Sequence, residues 1–388
     1  MPTTAEPILS RYLHNRGHAL GLPIAGTFEL TARCNFNCKM CYVHLSEAEQ
    51  RRRGRELTAA EWISIAERAK DAGMVFLLLT GGEPTLRPDF PEIYTALKKM
   101  GFMISINSNG YLLQDKILEL FANDPPVRIN ISLYGTSDET YRNLCGVPAY
   151  HRILTNIENL RRADVEVKIN MSLTPDNMCD MEALYQQAVD LDVNIQSTPY
   201  MFPPIRHSMD MVGKNCRMSA EDAGKFMAKY KTISMTEDEF CRFAAAIEKG
   251  IATSPDGDAC EGTPGQGIKC RGGSTSFWLT WDGKMMPCGQ MVEPAHDVLQ
   301  MGFDAAWKAT IADSAKIRIP DACATCEMNK ICHSCAAMCY CETGRFDGKP
   351  EYVCQMYRSF VDSTLRYWHD VYGGKTPKPT EKGNKNED

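Results

Sequence analysis

Three cysteines near the start of the chain have the spacing for metal chemistry. Cys34, Cys38 and Cys41 stand in CNFNCKMC, a C-x3-C-x2-C arrangement. Three thiolates this close can hold three corners of a 4Fe-4S cluster, a group normally bound by four. One iron is then open to an exogenous ligand. The alternative is a closed zinc site, with His44 as a fourth donor.

A second array lies far downstream. Of 17 cysteines, seven fall within 323–354. The N-terminal segment has no apolar run ahead of a small-residue cleavage site. No stretch approaches the roughly 20 apolar residues that span a bilayer. The expected compartment is therefore the reducing cytoplasm, where cysteines bind metals more often than they form disulfides. Cys270 and Cys288 bracket Gly283 as C-x12-G-x4-C. Cys323, Cys326, Cys332 and Cys335 follow, then Cys339, Cys341 and Cys354. The CxxC spacings alone also suit a zinc ribbon. Cys145, Cys179, Cys216 and Cys241 are scattered and read as ordinary thiols.

The elements that must position these residues alternate. GTFELTA, MVFLLLT, FMISINSNG, VRINISLYG, VEVKINMSL and VNIQSTPYMF read as six strands, with a helix between each successive pair. The first helix opens with a Thr58–Glu61 capping box and closes at Gly73. Apolar strands linked by helices predict a parallel sheet covered on both faces. Six units do not close the usual eight-strand barrel, so an open, partial (β/α)6 barrel is expected, an α/β fold. Its ligands would bind at the carboxyl ends of the strands, where the first cysteines fall.

The expected organisation is an N-terminal extension (1–23), the barrel (24–205), a helical bridge (206–259), a Cys-rich domain (260–356), and a C-terminal helix with a disordered tail (357–388). SFWLTWDGKMMPC reads as a hairpin turning at Asp282-Gly283. The chain, 44% hydrophobic and 24% charged, is long enough for a large core. A formal charge of -6 argues against broad nucleic-acid binding.

C-x3-C-x2-C after the first strand of an alternating domain resembles the signature of the radical S-adenosylmethionine (SAM) superfamily. The resemblance implies that Cys34, Cys38 and Cys41 hold a catalytic cluster whose open iron binds SAM by its amino and carboxylate groups. Reductive cleavage would then give a 5′-deoxyadenosyl radical that abstracts a substrate hydrogen. The family usually has an aromatic residue before the third cysteine. Here it is Met40, which with Tyr42 would pack on the adenine. Gly81-Gly82-Glu83-Pro84 resembles the family's GGEP, implying that backbone and Glu83 receive the SAM ammonium. Glycines admit close approach and a carboxylate suits a cation, although GG is also common in plain βα turns. Ser108 and Ser132 would contact ribose or carboxylate, or serve simply as turn caps. The fifth strand ends in Asn170 and Ser172, without the family's glycine-rich motif.

The downstream array resembles the SPASM extension of that superfamily, with x2 where x3 usually precedes Cys335. The extension carries two auxiliary 4Fe-4S clusters, giving three in all. The resemblance implies Cys323, Cys326, Cys332 and Cys354 for one, and Cys270, Cys288 and Cys335 for the other, with Cys260 as its fourth ligand. Cys339 is an alternative ligand and Cys341 is extra. Auxiliary clusters would relay electrons or ligate substrate.

Enzymes of this branch modify peptides by thioether or carbon–carbon crosslinking, epimerisation or oxidation, and a peptide or small-protein substrate is expected. Small-molecule dehydrogenation and sulfatase maturation are alternatives. Against the latter, Gly289-Gln290 follow Cys288 where the maturases carry an Asp. About 23 residues precede the first strand, too few for a leader-binding domain, so a separate leader-recognition protein or no leader is expected. The reductant would be a flavodoxin or ferredoxin. A non-catalytic metal-binding scaffold is the remaining reading, and the GGEP loop weighs against it.

Overall fold

The computed structural model describes residues 8–251, 267–268 and 270–375. Cys260 and the expected disordered tail from 376 onward lie outside the described residues.

Helix α1 (Ile8–Leu20) precedes strand β1 (Ala25–Glu29). Then come α2 (Glu47–Arg53), α3 (Ala59–Asp71), β2 (Phe76–Thr80), α4 (Phe90–Lys99), β3 (Met103–Ser108), α5 (Asp115–Asn123) and β4 (Arg128–Ser132). The barrel finishes with α6 (Asp138–Cys145), α7 (Tyr150–Arg162), β5 (Val167–Ser172), α8 (Met181–Asp190) and β6 (Asn194–Thr198). Two bridge helices follow, α9 (Ala220–Ser234) and α10 (Glu237–Glu248). The C-terminal region holds β7 (Ser276–Leu279), β8 (Lys284–Met286), β9 (His296–Asp297), α11 (Val298–Met301), α12 (Phe303–Ser314), α13 (Asp321–Ala324), α14 (Ala336–Thr343) and α15 (Glu351–Tyr372). No helix among the described residues is long and apolar enough to cross a membrane.

The strands form one open sheet in the order β6-β5-β4-β3-β2-β1-β7-β8-β9. The first six run parallel in sequence order, as an open (β/α)6 arrangement requires. The expected hairpin forms, with Leu279 opposite Met285. Its position differs from the expectation of a separate Cys-rich unit: β7 pairs parallel with β1, Phe28 beside Leu279. The C-terminal strands thus extend the barrel sheet.

A second difference concerns the strands' inner face. Phe28, Leu79, Ile106, Ile129 and Val167 make one continuous row across five strands and are at most 1% exposed. This row packs on the helices, with the Trp62 ring 4.9 Å from Phe28 and tilted by 33° to it. The opposite face is polar. Ser132, Asn170 and Gln196 stand side by side across β4, β5 and β6. The Asn130 amide donates to Asn107 at 2.9 Å on the same side. Strands of period two bury one face and leave the other for a wet interior. The apolar count of these segments hid that alternation.

Three helices up to the end of the barrel were not expected, α1, α2 and α6, nor were α11 to α14 in the Cys-rich region. Helix α6 is polar and short, but Ser137 caps it and Gly146 ends it in the left-handed region. Helix α15 starts before the expected boundary and carries Cys354 on its first turn. It crosses α9 closely at Gly224, where an added Cβ would lie 2.4 Å from the Met356 carbonyl oxygen.

One buried ion pair joins the barrel to the C-terminal strands. Glu29, at the end of β1, is fully buried. Its carboxylate accepts two bonds from Arg206, at 2.7 and 2.8 Å, and one from the Trp278 indole at 2.8 Å. Arg206 also donates to the Gly289 carbonyl at 3.3 Å. Removing one partner strands the other charge away from water. Arg206→Met is therefore expected to destabilise the fold by about 3–5 kcal/mol. The Glu29→Gln/Arg206→Met double variant should lose less than Arg206→Met alone, as read by anaerobic urea unfolding.

Candidate active site

A cavity of about 470 Å³ opens at the carboxyl ends of the strands. Cys34, Cys38 and Cys41 share its wall with Gly81, Gly82, Ser108 and Ser132. Met40 and Tyr42 line it too. Among the described residues no Asp, Glu, Lys, Arg or His belongs to that wall. Its polar groups are neutral amides and hydroxyls, including Asn107, Asn130, Asn170 and Gln196.

The cysteine loop is held from two sides. Backbone amides of Asn37 and Lys39 donate to the carbonyls of Cys145 and Leu144 at 3.0 Å, so the end of α6 grips the loop. Cys145 behind it raises the Cys38 pKa, and burial adds to the rise. On the other side Gly82 donates to Thr31 O at 2.8 Å and Glu83 to Arg33 O at 2.9 Å. A Cβ on Gly82 would lie 2.3 Å from the Arg33 carbonyl oxygen. The glycine is thus needed for contact between two backbones, one of which leads directly into Cys34. A Cβ on Gly81, which has φ +151°, would lie 2.5 Å from Thr31 O.

Glu83 packs behind the glycine loop. Its carboxylate does not line the cavity; it is fully buried behind the wall. One oxygen accepts from the Thr85 hydroxyl at 2.6 Å and from Ser108 Oγ at 3.0 Å. The other accepts from the Asn109 amide at 2.8 Å. Burial raises its pKa and these donors oppose the rise. With its lone pairs used inside the protein, Glu83 ties the end of β3 to the glycine loop. The Ser108 hydroxyl is engaged in the same network. Ser132 reaches the cavity on the next strand.

Sequence reasoning missed Asn109. Its side-chain amide donates to Asn35 at 2.8 Å and lies 3.6 Å from Cys34 Sγ. Backbone amides of Phe36 and His44 point at Cys34 and Cys41 sulfurs, at 3.4 and 3.2 Å. Such donors stabilise sulfur carrying negative charge. Burial pushes the Cys34 thiol up to about 12, so a thiolate there needs a bound cation, and metal binding must release the proton.

These residues fit an iron–sulfur cluster better than one zinc ion. Among the described residues no three His, Cys, Asp or Glu side chains converge on a single-ion position. His44 is not part of the cavity wall. Three sulfurs spaced around a roomy neutral cavity suit a larger group with space beside it.

The downstream cysteines form two sets. Cys323, Cys326, Cys332 and Cys354 line one small cavity together. Cys270, Cys288 and Cys335 lie close enough for the other two to raise the Cys288 pKa, which burial pushes up to about 12. Cys341 neighbours Cys288 and Cys335 as well, but its thiol donates to the Gln290 carbonyl at 3.1 Å. Cys339 is buried beside Cys323, Cys332 and Cys335.

Residues 28–188 match the family model of the radical SAM superfamily. An AdoMet-dependent heme synthase of Methanosarcina barkeri is 27% identical over 336 residues, covering 82% of this chain and 93% of that protein. A probable GTP 3′,8-cyclase of Saccharolobus islandicus is 34% identical over 169 residues, 42% of this chain and 53% of the relative. The chain spans only about half the length of such cyclases. The AdoMet-bound structure of anSMEcpe superposes with a TM-score of 0.66 at 16% identity, over 90% of this chain and all of that one. SuiB of Streptococcus suis bound to S-adenosylmethionine gives 0.64 at 16% identity, over 91% and 84%. Likeness at that identity establishes the fold.

Over residues 28–188 the chain carries a radical SAM domain. With that domain it is an enzyme that uses S-adenosylmethionine and a 4Fe-4S cluster.

Gly82→Ala is expected to push the cysteine loop off the glycine loop. The prediction is a loss of about four irons per chain after anaerobic reconstitution, by iron and sulfide assay, with the rest of the iron retained.

Proposed function

We propose that this chain applies radical SAM chemistry to a peptide, as a member of the SPASM branch with two auxiliary 4Fe-4S clusters. On this reading it works in the cytoplasm with a flavodoxin or ferredoxin as reductant, and a separate protein presents any leader. Cys34, Cys38 and Cys41 would hold the SAM cluster. Cys323, Cys326, Cys332 and Cys354 would hold one auxiliary cluster. Cys270, Cys288 and Cys335, with Cys260, would hold the other. With SAM, the first cluster supplies a carbon-centred radical that removes a hydrogen atom.

One observation carries the peptide reading. At the end of β6 the active-site cavity adjoins a second cavity of about 350 Å³, and the two share Gln196, Thr198 and Tyr200 as wall residues. Strand β6 is the edge of the sheet, and Gln196 and Thr198 are exposed on it. A long space running along an edge strand suits an extended chain. Two proteins of similar fold have been solved with peptides: SuiB with its precursor SuiA, TM-score 0.61, and anSMEcpe with the Cp18Cys peptide, TM-score 0.64. The neutral wall supports the chemistry. It aligns substrate by hydrogen bonds from Asn and Ser side chains and offers no carboxylate or imidazole to act as a base. That suits hydrogen-atom removal, which needs no proton acceptor.

A second reading has its own support. The heme synthase relative matches over 93% of its length, which favours a carboxylated macrocycle as substrate.

Reconstituted protein is expected to hold about 11–12 irons per chain and to form 5′-deoxyadenosine under dithionite. Cys34→Ala should abolish that product. Cys323→Ala should lose about four irons while keeping some uncoupled SAM cleavage. Stoichiometric zinc with no nucleoside product would overturn the enzyme reading. Co-expression with short open reading frames beside the gene, read by mass shift of the peptide, tests the substrate class. A porphyrin changed under conditions where every such peptide stays unmodified would favour the second reading.

A further inference from the structure

The second cavity has a chemical character of its own. Its walls come from α9 and α15, which cross at Gly224, from the end of β6, and from Phe243 of α10, Met338 of α14 and the nearby Ile331 and His333. Phe226, Tyr230, Phe243, Tyr357 and Phe360 make it largely aromatic. A single ammonium lies among these rings. Lys231 Nζ is 5.2 Å from the centre of the Phe243 ring. Among the described residues no aspartate or glutamate belongs to this wall. Glu342, which meets the cavity-wall residue Tyr200, is taken up by Arg217 at 2.5 Å and by the Tyr200 hydroxyl at 2.7 Å. Burial lowers the Lys231 pKa, and no acidic group among the described residues counters it. On the same wall the buried Ser197 hydroxyl has no hydrogen-bond partner among the described residues.

A half-buried cation costs desolvation energy unless an anion meets it. The surrounding rings would in turn pack on an apolar group. The position adds a constraint. Gln196, Thr198 and Tyr200 join this cavity to the active site, and Tyr357 joins it to the four-cysteine cavity. Whatever fills it lies between the two.

We propose that this cavity is a substrate-anchoring subsite for a carboxylate carried on an apolar or aromatic group, with Lys231 as the counter-ion and Ser197 as a hydrogen-bond donor. The proposal rests on the reading of the main cavity as a SAM site whose substrate extends past β6. The same carboxylate chemistry could come from an acidic peptide residue or from a propionate on a macrocycle. Lys231 is on α9, outside the cysteine loops, and acts by holding substrate in place.

The test uses full-length, anaerobically reconstituted protein with SAM. Binding of 4-phenylbutyrate and of uncharged 4-phenylbutyramide is measured by calorimetry. The parent should prefer the carboxylate by about tenfold or more, the worth of one charge-assisted hydrogen bond. Lys231→Met should abolish that preference, and Lys231→Arg should keep it, which also shows that the α9 site tolerates substitution. Acetyl-Leu-Phe-Glu-amide and protoporphyrin, measured alongside, distinguish the two sources: the one whose affinity falls in Lys231→Met carries the relevant group. An unchanged ratio in Lys231→Met, or no carboxylate preference in the parent, overturns the subsite. Failure of the underlying reading looks different, because the parent protein would then form no 5′-deoxyadenosine.

Discussion

The site depends on one contact between two stretches of backbone. The turn after β2 lies against the segment that leaves β1, close enough that neither Gly81 nor Gly82 has room for a Cβ. Two amide hydrogen bonds lock the approach. The cysteine loop therefore starts from a fixed place, and the cavity wall beside it is made of peptide groups. Glu83 completes the arrangement from below. A buried carboxylate is tolerable only when its oxygens are satisfied. Here the donors come from its own turn and from the end of β3, so one side chain brings two loops into register.

The rest of the sheet turns that fixed point into a chamber. The outward row from Phe28 to Val167 buries against helices and supplies the hydrophobic drive. Burying each such side chain contributes about 1.5–3 kcal/mol. The inward row carries amides and hydroxyls. An open sheet leaves that row accessible along its β6 edge, where a closed eight-strand barrel would fill its interior with side chains. Openness and polarity thus act together: the same unclosed edge that exposes Gln196 and Thr198 gives the cavity its extension.

Much of this was legible in the sequence, for identifiable reasons. Six strands with intervening helices, the Thr58 capping box and the Asp282-Gly283 hairpin each have a local signal, and each formed. The cysteine and glycine motifs were visible by spacing alone. Other features were hidden because they depend on contacts between distant residues. Nothing in Glu83 announces that its oxygens face Ser108 and Asn109 rather than a ligand. Asn109 looked like one turn residue among several. Apolar counting in MVFLLLT and VEVKINMSL hid the polar inner face further along the sheet. Helix α6 could have been read from Ser137 and Gly146, but its polar composition gave no periodic stripe. The pairing of β7 with β1 spans about 250 residues, and no local pattern encodes such a partner.

That long-range pairing explains the buried Glu29–Arg206 pair. Glu29 ends the strand that feeds the first cysteine loop. Trp278, which donates to it, is on β7, ten residues before Cys288. Arg206 comes from the loop after β6 and also holds the carbonyl of Gly289, the residue following Cys288. One carboxylate therefore ties together the two edges of the six-strand unit and the turn that carries a C-terminal cysteine. Tyr42, beside Cys41, lies near enough to feel both Glu29 and Cys288. A buried ion pair is a weak source of net stability but a strict geometric constraint, since either charge alone is costly. Its place at this junction means that the spacing between the first cysteine loop and the downstream array is set by the sheet and not by a flexible linker.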